Sequence, residues 1–398
     1  MRIGPERLAK ARVGVSVRSR LTALVSARSK KALIAACTLI IAGSVPLSGA
    51  PAQKLTGGTG AIYVGTYSSR ILVVDEATEK VVSEITLKSG FPRRTEMSRD
   101  GTRIYALSGD LEQFEIVDVV KRQSVDTFTL SEANKKTRVV SFTADPVHRF
   151  MVMATITSTE LSDRFDVGPA MLTTYDLKEH KVIKSMPWPI EDDPGYFGTA
   201  LKISPDGKLL YFFGDEVSIF DTATFQKVGS WSLSKTNEPG FGEIALGSVD
   251  ETNDEPGYFT GLFTTDDPVQ KRRLLGIGRV NLLQKKIDYY TLGPAPARGV
   301  STQFALAPDR KHGSILTQDI RHYELWTVDL DARRVQTKVE FDGRSRMALR
   351  PSSNGKILYI HQAGNTIDLY DAAGFKYLRT MTFDADMVTG SFHVVRPH

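Results

Sequence analysis

Residues 198–233 read GTALKISPDGKLLYFFGDEVSIFDTATFQKVGSWSL and divide into four short apolar runs separated by turn residues. No window of this stretch has the apolar spacing of a helix, so it predicts four antiparallel strands. The first turn, Ser204-Pro205-Asp206-Gly207, suits a tight hairpin because proline presets φ and glycine accepts a positive φ. A single sheet of this kind cannot bury both of its faces, and the pattern therefore requires neighbouring sheets.

The same unit occurs seven times along the chain, with a mean spacing of about 49 residues, which is typical of propeller blades. The second strands of the units are predicted to begin at Ile62, Ile104, Phe150, Leu209, Tyr258, Ser314 and Ile357. Third strands end in a hydrophobic residue followed by aspartate, as in IFDTAT from Ile219. The fifth copy differs, because Asn281 stands where the others have aspartate.

The two ends of the repeat region are complementary. The region opens on a second-type strand, AIYVGT from Ala61, and finishes on a first-type strand, VTGSFHVV from Val388. If the units form a ring, residues 391–395 pair with residues 62–65 and remove the free sheet edges. The fold prediction is therefore an all-β protein, a seven-bladed β-propeller of four-stranded antiparallel blades over residues 61–398. An open all-β sandwich is the alternative, but it does not explain the complementary ends.

The first 50 residues have the features of an export signal. Nine lysine or arginine residues and one acid precede residue 32, and a twelve-residue apolar run then extends from Ala32 to Gly43. That run is too short to span a bilayer. Ser48-Gly49-Ala50 supplies the small residues that precede a cleavage site. We therefore expect a signal peptide over 1–50, a flexible entry segment over 51–60, and a periplasmic or extracellular protein with no membrane span after cleavage.

Cys37 is the single cysteine, and it lies inside the expected leader. Two readings remain open: a lipoprotein processing site at Cys37, or cleavage after Ala50, which leaves the mature chain with no cysteine and no disulfide. Cleavage also removes nine basic residues and one acidic residue from totals of 51 and 46, leaving 42 and 45. The basic character therefore belongs to the leader, and we expect no nucleic-acid partner.

Long connections mark the face on which we expect binding. They occur at 157–170, 190–198, 234–242, 263–273 and 293–300, all between second and third strands or between successive units. Binding residues concentrate on such loops over a rigid scaffold. Arginine and aromatic residues, which are typical of interfaces, predominate near the starts of the innermost strands. The candidate binding residues are Arg93, Arg94, Arg138, Tyr196, Phe197, Phe241, Arg298, Arg344, Arg346 and Met387.

Structural roles are open for the same residues. Arginines near a propeller axis also hydrogen-bond loop carbonyls, and the aromatic residues of the two Pro-Gly turns, Phe197 and Phe241, also suit packing on the next blade. No GxSxG elbow, HExxH motif or EF-hand spacing is present. The chain also lacks the complete glycine fingerprint of dinucleotide-binding folds. We therefore expect no catalytic residues, no metal site and no cofactor of the chain's own.

The unit that begins with Ile62-Tyr63-Val64 and contains a hydrophobic-Asp strand and an SPDG turn resembles the YVTN-type β-propeller repeat. A narrower resemblance is to the β subunit of quinohaemoprotein amine dehydrogenase. It rests on 157–170 leading into MLTTYDL, on 325–383, and on the closing segment from Asp386 to Arg396. This resemblance implies a periplasmic seven-bladed propeller without haem or quinone, which binds the haem- and quinone-bearing subunits as protein partners.

Two other functions remain open. Tyr63-Val64-Gly65-Thr66-Tyr67-Ser68 resembles the opening strand of lactonase-type propellers, which implies hydrolysis at the channel mouth. A generic YVTN-repeat surface binding protein is the third reading. The sequence favours an exported, non-catalytic propeller that binds a protein partner.

Overall fold

The computed structural model describes residues 54–191, 200–213, 216–233, 242–250, 252–319, 321–343 and 347–397. Strands, turns and irregular segments account for all of these residues, which confirms the all-β prediction. The expected leader, including Cys37, and residues 51–53 of the entry segment lie outside the described residues.

The chain begins with β1 (Ala61–Thr66), β2 (Arg70–Asp75) and β3 (Lys80–Thr86). Five separate four-stranded antiparallel sheets follow. The first of these sheets consists of β4 (Pro92–Met97), β5 (Arg103–Ser108), β6 (Gln113–Asp118) and β7 (Gln123–Thr129), and the second consists of β8 (Lys135–Ala144), β9 (Phe150–Glu160), β10 (Phe165–Asp176) and β11 (Lys181–Pro187). The third consists of β12 (Ala200–Ile203), β13 (Leu209–Phe213), β14 (Val217–Asp221) and β15 (Lys227–Trp231), and the fourth consists of β16 (Ala245–Asp250), β17 (Tyr258–Asp267), β18 (Arg272–Asn281) and β19 (Lys286–Pro294). The fifth consists of β20 (Ser301–Leu306), β21 (His312–Asp319), β22 (His322–Asp329) and β23 (Arg334–Asp342). The last strands are β24 (Ala348–Pro351), β25 (Ile357–His361), β26 (Gly364–Asp371) and β27 (Tyr377–Val395).

The first and last strands form one seven-stranded sheet in the order β24-β25-β26-β27-β1-β2-β3. Strand β27 is 19 residues long. Its first half pairs with β26, and its second half pairs with β1, with Ala61 opposite Val395 and Val64 opposite Phe392. The expected pairing of the two chain ends is therefore observed over Ala61–Val64, followed by a register irregularity before Thr66.

A propeller of four-stranded antiparallel sheets is confirmed, but the sheet count differs from the prediction. The described residues form five four-stranded sheets and one sheet of seven strands, rather than seven separate sheets. The physical reason is that β27 continues without a break from the last unit into the first, so one ladder of main-chain hydrogen bonds joins both units.

Serine and aspartate fix the turn between the first and second strands. In the SPDG turn, Ser204 Oγ donates to Asp206 Oδ1 at 2.6 Å and accepts from the Leu209 amide at 2.9 Å. One hydroxyl group therefore forms hydrogen bonds with residues both within and after the turn. The same arrangement occurs at Ser98 with Asp100 and Arg103, and at Ser352 with Asn354 and Ile357.

A second turn ends each third strand. Asp221 Oδ1 accepts from the Thr224 amide at 2.7 Å, and Phe225 then adopts a φ of 59°. In the fifth copy, Asn281 Oδ1 accepts from the Gln284 amide in the same way, at 3.0 Å, because an amide oxygen serves as well as a carboxylate oxygen. A residue of positive φ lies four positions after the Asp or Asn in each copy: Glu79, Arg122, His180, Phe225, Lys285, Arg333 and Phe375.

Apolar side chains fill the spaces between neighbouring sheets. Between the sheets of β8–β11 and β12–β15, for example, Val152 and Leu172 pack with Leu210 and Phe212. Ile62, Val64 and Phe392 belong to another cluster, with residues of β25 and β26. The strand pairing that joins the chain ends therefore also completes a hydrophobic core.

Phe392→Ala tests whether this closing segment stabilises the fold. Phe392 is 2% exposed, and we expect the substitution to lower the free energy of unfolding by about 3–5 kcal/mol, as for other buried phenylalanines. Urea denaturation followed by circular dichroism measures the change. Val228→Ala, at a residue 57% exposed, is the control and should change it by about 0.5 kcal/mol or less. Equal, small effects would contradict a stabilising role of the closing segment.

Candidate functional site

Half of the predicted binding residues lie in the described part of the chain, and they do not form one cluster there. Arg94 packs its guanidinium over the Phe142 ring, 5.0 Å from the centroid, and so joins two sheets. Arg93 and Arg138 are exposed on β4 and β8. Met387 is fully buried in β27. Tyr196, Phe197, Phe241, Arg344 and Arg346 lie outside the described residues. A binding role for this set stays a prediction.

Arg298 lines a surface cleft of about 480 Å³. The cleft lies where the β17–β18 turn approaches the segment before β20, and Arg273 closes one wall by donating to the Pro296 carbonyl at 2.9 Å. The other charged residues that line it are Asp266, Asp267, Lys271 and Arg272. Four cations against two carboxylates give this cleft a net positive charge.

Strands replace the loop predicted at 157–170. Lys135 of β8 pairs with Thr159 of β9, and Phe165 of β10 pairs with Glu160. We call the three-stranded segment formed by 135–138, 156–160 and 165–170 the projecting sheet. Likewise, the loop predicted at 263–273 is mostly a hairpin of β17 and β18. Sequence reasoning missed these strands because most of their residues are polar, and the alternation Phe165-Asp166-Val167 is too short to predict a strand.

The projecting sheet exposes apolar side chains. Phe165 and Val167 are 65% and 64% exposed, and Leu161 in the turn between β9 and β10 is also exposed. Strand β10 pairs with β11 only from Met171 onward. The same edge of the preceding residues 165–168 has no partner strand among the described residues. Single exposed apolar residues are ordinary, but here they accompany an open sheet edge, which is a site for strand addition.

A larger cavity lies at the other end of the inner strands, beside the turns between first and second strands. Its volume is about 610 Å³. We call this cavity the channel cavity. Its polar lining includes Thr95, Arg350, His393 and Arg396. Sequence reasoning did not find this group, because the four residues lie on three separate strands and the chain end and share no local motif.

Thr95 and His393 form the best-defined polar contact at the channel cavity. Thr95 Oγ1 lies 2.7 Å from His393 Nε2 and 3.1 Å from Ser391 Oγ. Burial and then the charge of Arg350 lower the pKa of His393 to about 3. His393 is therefore neutral at physiological pH, with one N–H to donate and one nitrogen to accept.

A second histidine has the same electrostatic environment. His361 is 1% exposed and stacks on Phe392 with ring centroids 4.4 Å apart. Burial, followed by the charge of Arg350, lowers its pKa to about 4. Its Nε2 lies 3.3 Å from the Thr389 carbonyl oxygen, and its Nδ1 has no hydrogen-bond partner. The positive charge of Arg350 therefore contributes to lowering the pKa of both histidines.

Among the described ranges, no group of three or more His, Cys, Asp or Glu side chains could hold a metal ion. The described residues also contain no helix of the length and apolarity needed to cross a bilayer.

No family model and no curated protein matches this chain. Solved structures do resemble it. A functionally unknown protein from Desulfotomaculum acetoxidans DSM 771 is 13% identical, with 86% of this chain and 100% of that chain covered and a TM-score of 0.50. Apo AztD from Citrobacter koseri is also 13% identical, with 86% and 98% covered and a TM-score of 0.49. The β-propeller domain of Cps50 (Swd1) from Myceliophteria thermophila is 12% identical, with 87% and 95% covered and a TM-score of 0.48. At such identities a structural likeness concerns the fold alone.

Acid should destabilise the protein through His361 and His393. Their pKa values are lower in the folded state, so the unfolded chain binds more protons, and stability present above about pH 6.5 is lost as the pH falls toward 4. For His361, with a folded pKa of about 4, the loss is about 3 kcal/mol. Glu76 has a raised pKa and acts in the opposite sense.

His361→Gln isolates this contribution. Glutamine keeps a donor for the Thr389 carbonyl but does not titrate. We expect urea midpoints of the variant to decline less than those of the native chain between about pH 6.5 and pH 4. Val228→Ala, at a non-titratable residue that is 57% exposed, should leave the native decline unchanged. Parallel curves for His361→Gln and the native protein would contradict the assignment.

Proposed function

We propose that this chain is an exported, non-catalytic β-propeller of seven blades that binds a protein partner through the face carrying the projecting sheet. The seven-blade count is supported by the seven turns with a positive-φ residue after the third strands. In this reading, the seven-stranded sheet consists of two blades that share β27. Export is supported by the basic, then apolar, leader.

The observation that carries the proposal is the open, apolar edge of the projecting sheet. Residues 165–167 of β10 pair with β9 alone. Phe165 and Val167 alternate with Asp166, so both apolar side chains lie on one face of the strand. A partner strand that joined this edge would gain main-chain hydrogen bonds and cover these side chains.

The net positive cleft at Arg298 lies on the same face of the propeller. Both the β9–β10 turn and the β17–β18 turn connect second to third strands, and such turns share one side of a propeller. An acidic segment of the partner would complement Lys271, Arg272 and Arg298. Charge of this kind contributes mainly to association rate and orientation, whereas the apolar edge contributes buried area.

As to the partner, we propose the haem- and quinone-bearing subunits of a periplasmic amine dehydrogenase. The support is the resemblance of 157–170, 325–383 and the closing segment to the β subunit of that family. Two of the three strands of the projecting sheet lie almost entirely within 157–170. In this role the chain itself would hold no cofactor and would provide a rigid docking surface.

Phe165→Ser combined with Val167→Ser tests the docking face. We expect the double variant to lose at least about tenfold in association with the partner, because two apolar contacts each contribute on the order of 1 kcal/mol or more. Affinity co-purification from the native cell envelope with mass spectrometry identifies the partner, and surface plasmon resonance then measures its binding.

Val147→Ser is the matched control. Val147 is 65% exposed, as is Phe165, but it lies in a turn between first and second strands, on the opposite face. The control should bind like the native protein. Equal binding by the double variant would refute the docking face. Recovery of a partner without haem or quinone would refute the amine dehydrogenase assignment but not the face.

A further inference from the structure

Separately from the protein-binding face, we propose that the channel cavity binds a small organic carboxylate with an apolar body, with Arg350 as the residue that receives the carboxylate. This site lies at the end of the inner strands opposite the projecting sheet, and it does not depend on the proposed partner.

The site consists of a large space, suited to the apolar body of the ligand, and a small adjoining space, suited to its carboxylate. Beside the channel cavity of about 610 Å³ lies a cleft of about 20 Å³. The smaller volume is close to that of one water molecule, so it suits the oxygens of one compact polar group. Both spaces are lined by Thr252, Asn253, Arg350, His393, Val394 and Arg396.

Arg350 is available to an anion. Its Nη1 donates to the neighbouring Leu349 carbonyl at 2.9 Å, and the guanidinium forms no ion pair with any carboxylate in the part of the chain that the structure describes. Arg396 lies beside it at the cleft and donates to Asn253 Oδ1. Arginine binds carboxylates in a bidentate manner and with good geometric specificity.

The acids around the cavity already have partners. Asp250 accepts from the amides of Thr252 and Leu306, at 2.8 and 2.9 Å. Glu255 pairs with Arg279 and Arg310. Asp100 accepts from the side chain of Ser98 and contacts His148, and Asp145 pairs with Arg149. None of these four acids pairs with Arg350, and its charge remains available to a ligand.

Two histidines lie close to the charge of Arg350. His393 contacts Thr95 at the cavity wall, and its pKa is lowered partly by the charge of Arg350. The same charge lowers the pKa of buried His361. An uncompensated positive charge beside neutral imidazoles favours an incoming anion, and neutral His393 retains one N–H for hydrogen bonding.

Apolar side chains line the rest of the channel cavity. Phe259 and Leu282 are 4% exposed, and Met97, Ile203 and Val395 lie nearby in the same lining. Ligand sites of this volume are mostly apolar with a few polar groups that set orientation. A carboxylate attached to an aliphatic chain therefore fits both parts of the cavity.

Isothermal titration calorimetry of the full-length protein with hexanoate tests the site. We expect saturable binding that 1-hexanol, which has the same body without the charge, does not reproduce. Acetate, which lacks the body, should bind more weakly than hexanoate. Arg350→Gln should weaken hexanoate binding by at least about tenfold, because a hydrogen bond to a charged group contributes on the order of 1.5–3 kcal/mol.

Arg334→Gln is the matched control, since Arg334 is exposed on β23 and lines neither space of the proposed site, and it should bind hexanoate like the native protein. If Arg350→Gln fails to fold, Arg396→Gln at the exposed chain end should weaken binding instead. As an independent readout, hexanoate should shift the side-chain nitrogen resonances of His393 and leave those of His180 unchanged.

Three results would overturn the proposal. One is no binding of hexanoate up to about 10 mM, weaker than any specific site of this size. Another is equal binding of hexanoate and 1-hexanol. The third is native affinity in both arginine variants together with an unchanged His393 resonance.

Discussion

The pairing of Ala61–Val64 with Phe392–Val395 is the constraint on which the rest of the structure depends. The two segments are about 330 residues apart in sequence, so their contact fixes the ends of a very long loop at an entropic cost that grows slowly with length. Without it, β1 and the last inner strand would each present an open edge. With it, Ile62 and Phe392 enter one core cluster.

A polar contact at Glu76, which follows β2, also joins the first unit to the last. Glu76 is fully buried, and its Oε1 accepts from Tyr359 Oη at 2.8 Å and from the Ser353 amide at 3.1 Å. The chain before β1 also passes close to Glu76, where a Cβ on Gly60 would lie 2.4 Å from Oε2. Burial raises the pKa of Glu76, so this contact costs desolvation. The contact nevertheless links the loop after β2, in the first unit, to the turn before β25, in the last unit.

Sequence reasoning succeeded where the information is local. The turn at Ser204 and the turn at Asp221 each depend on side chains within five residues of one another, so their repetition predicted the strands and their order. The closure was predicted because each chain end shows its own strand pattern and the two patterns are complementary. The projecting sheet was predicted as loops because most residues of its strands are polar and the apolar alternation at 165–167 is too short to predict a strand.

The channel cavity could not be predicted, and the reason lies in the closure itself. Arg350 belongs to β24, Thr95 to β4 and His393 to β27, so no local motif joins them. They meet only because β27 crosses from the last unit to the first. A ligand that binds these three residues together binds the closed ring and not the open chain, and it must therefore stabilise the closed form in proportion to its occupancy. Closure and ligand binding at this end of the channel are for that reason thermodynamically linked, whereas docking at the projecting sheet involves residues of one sheet and carries no such coupling.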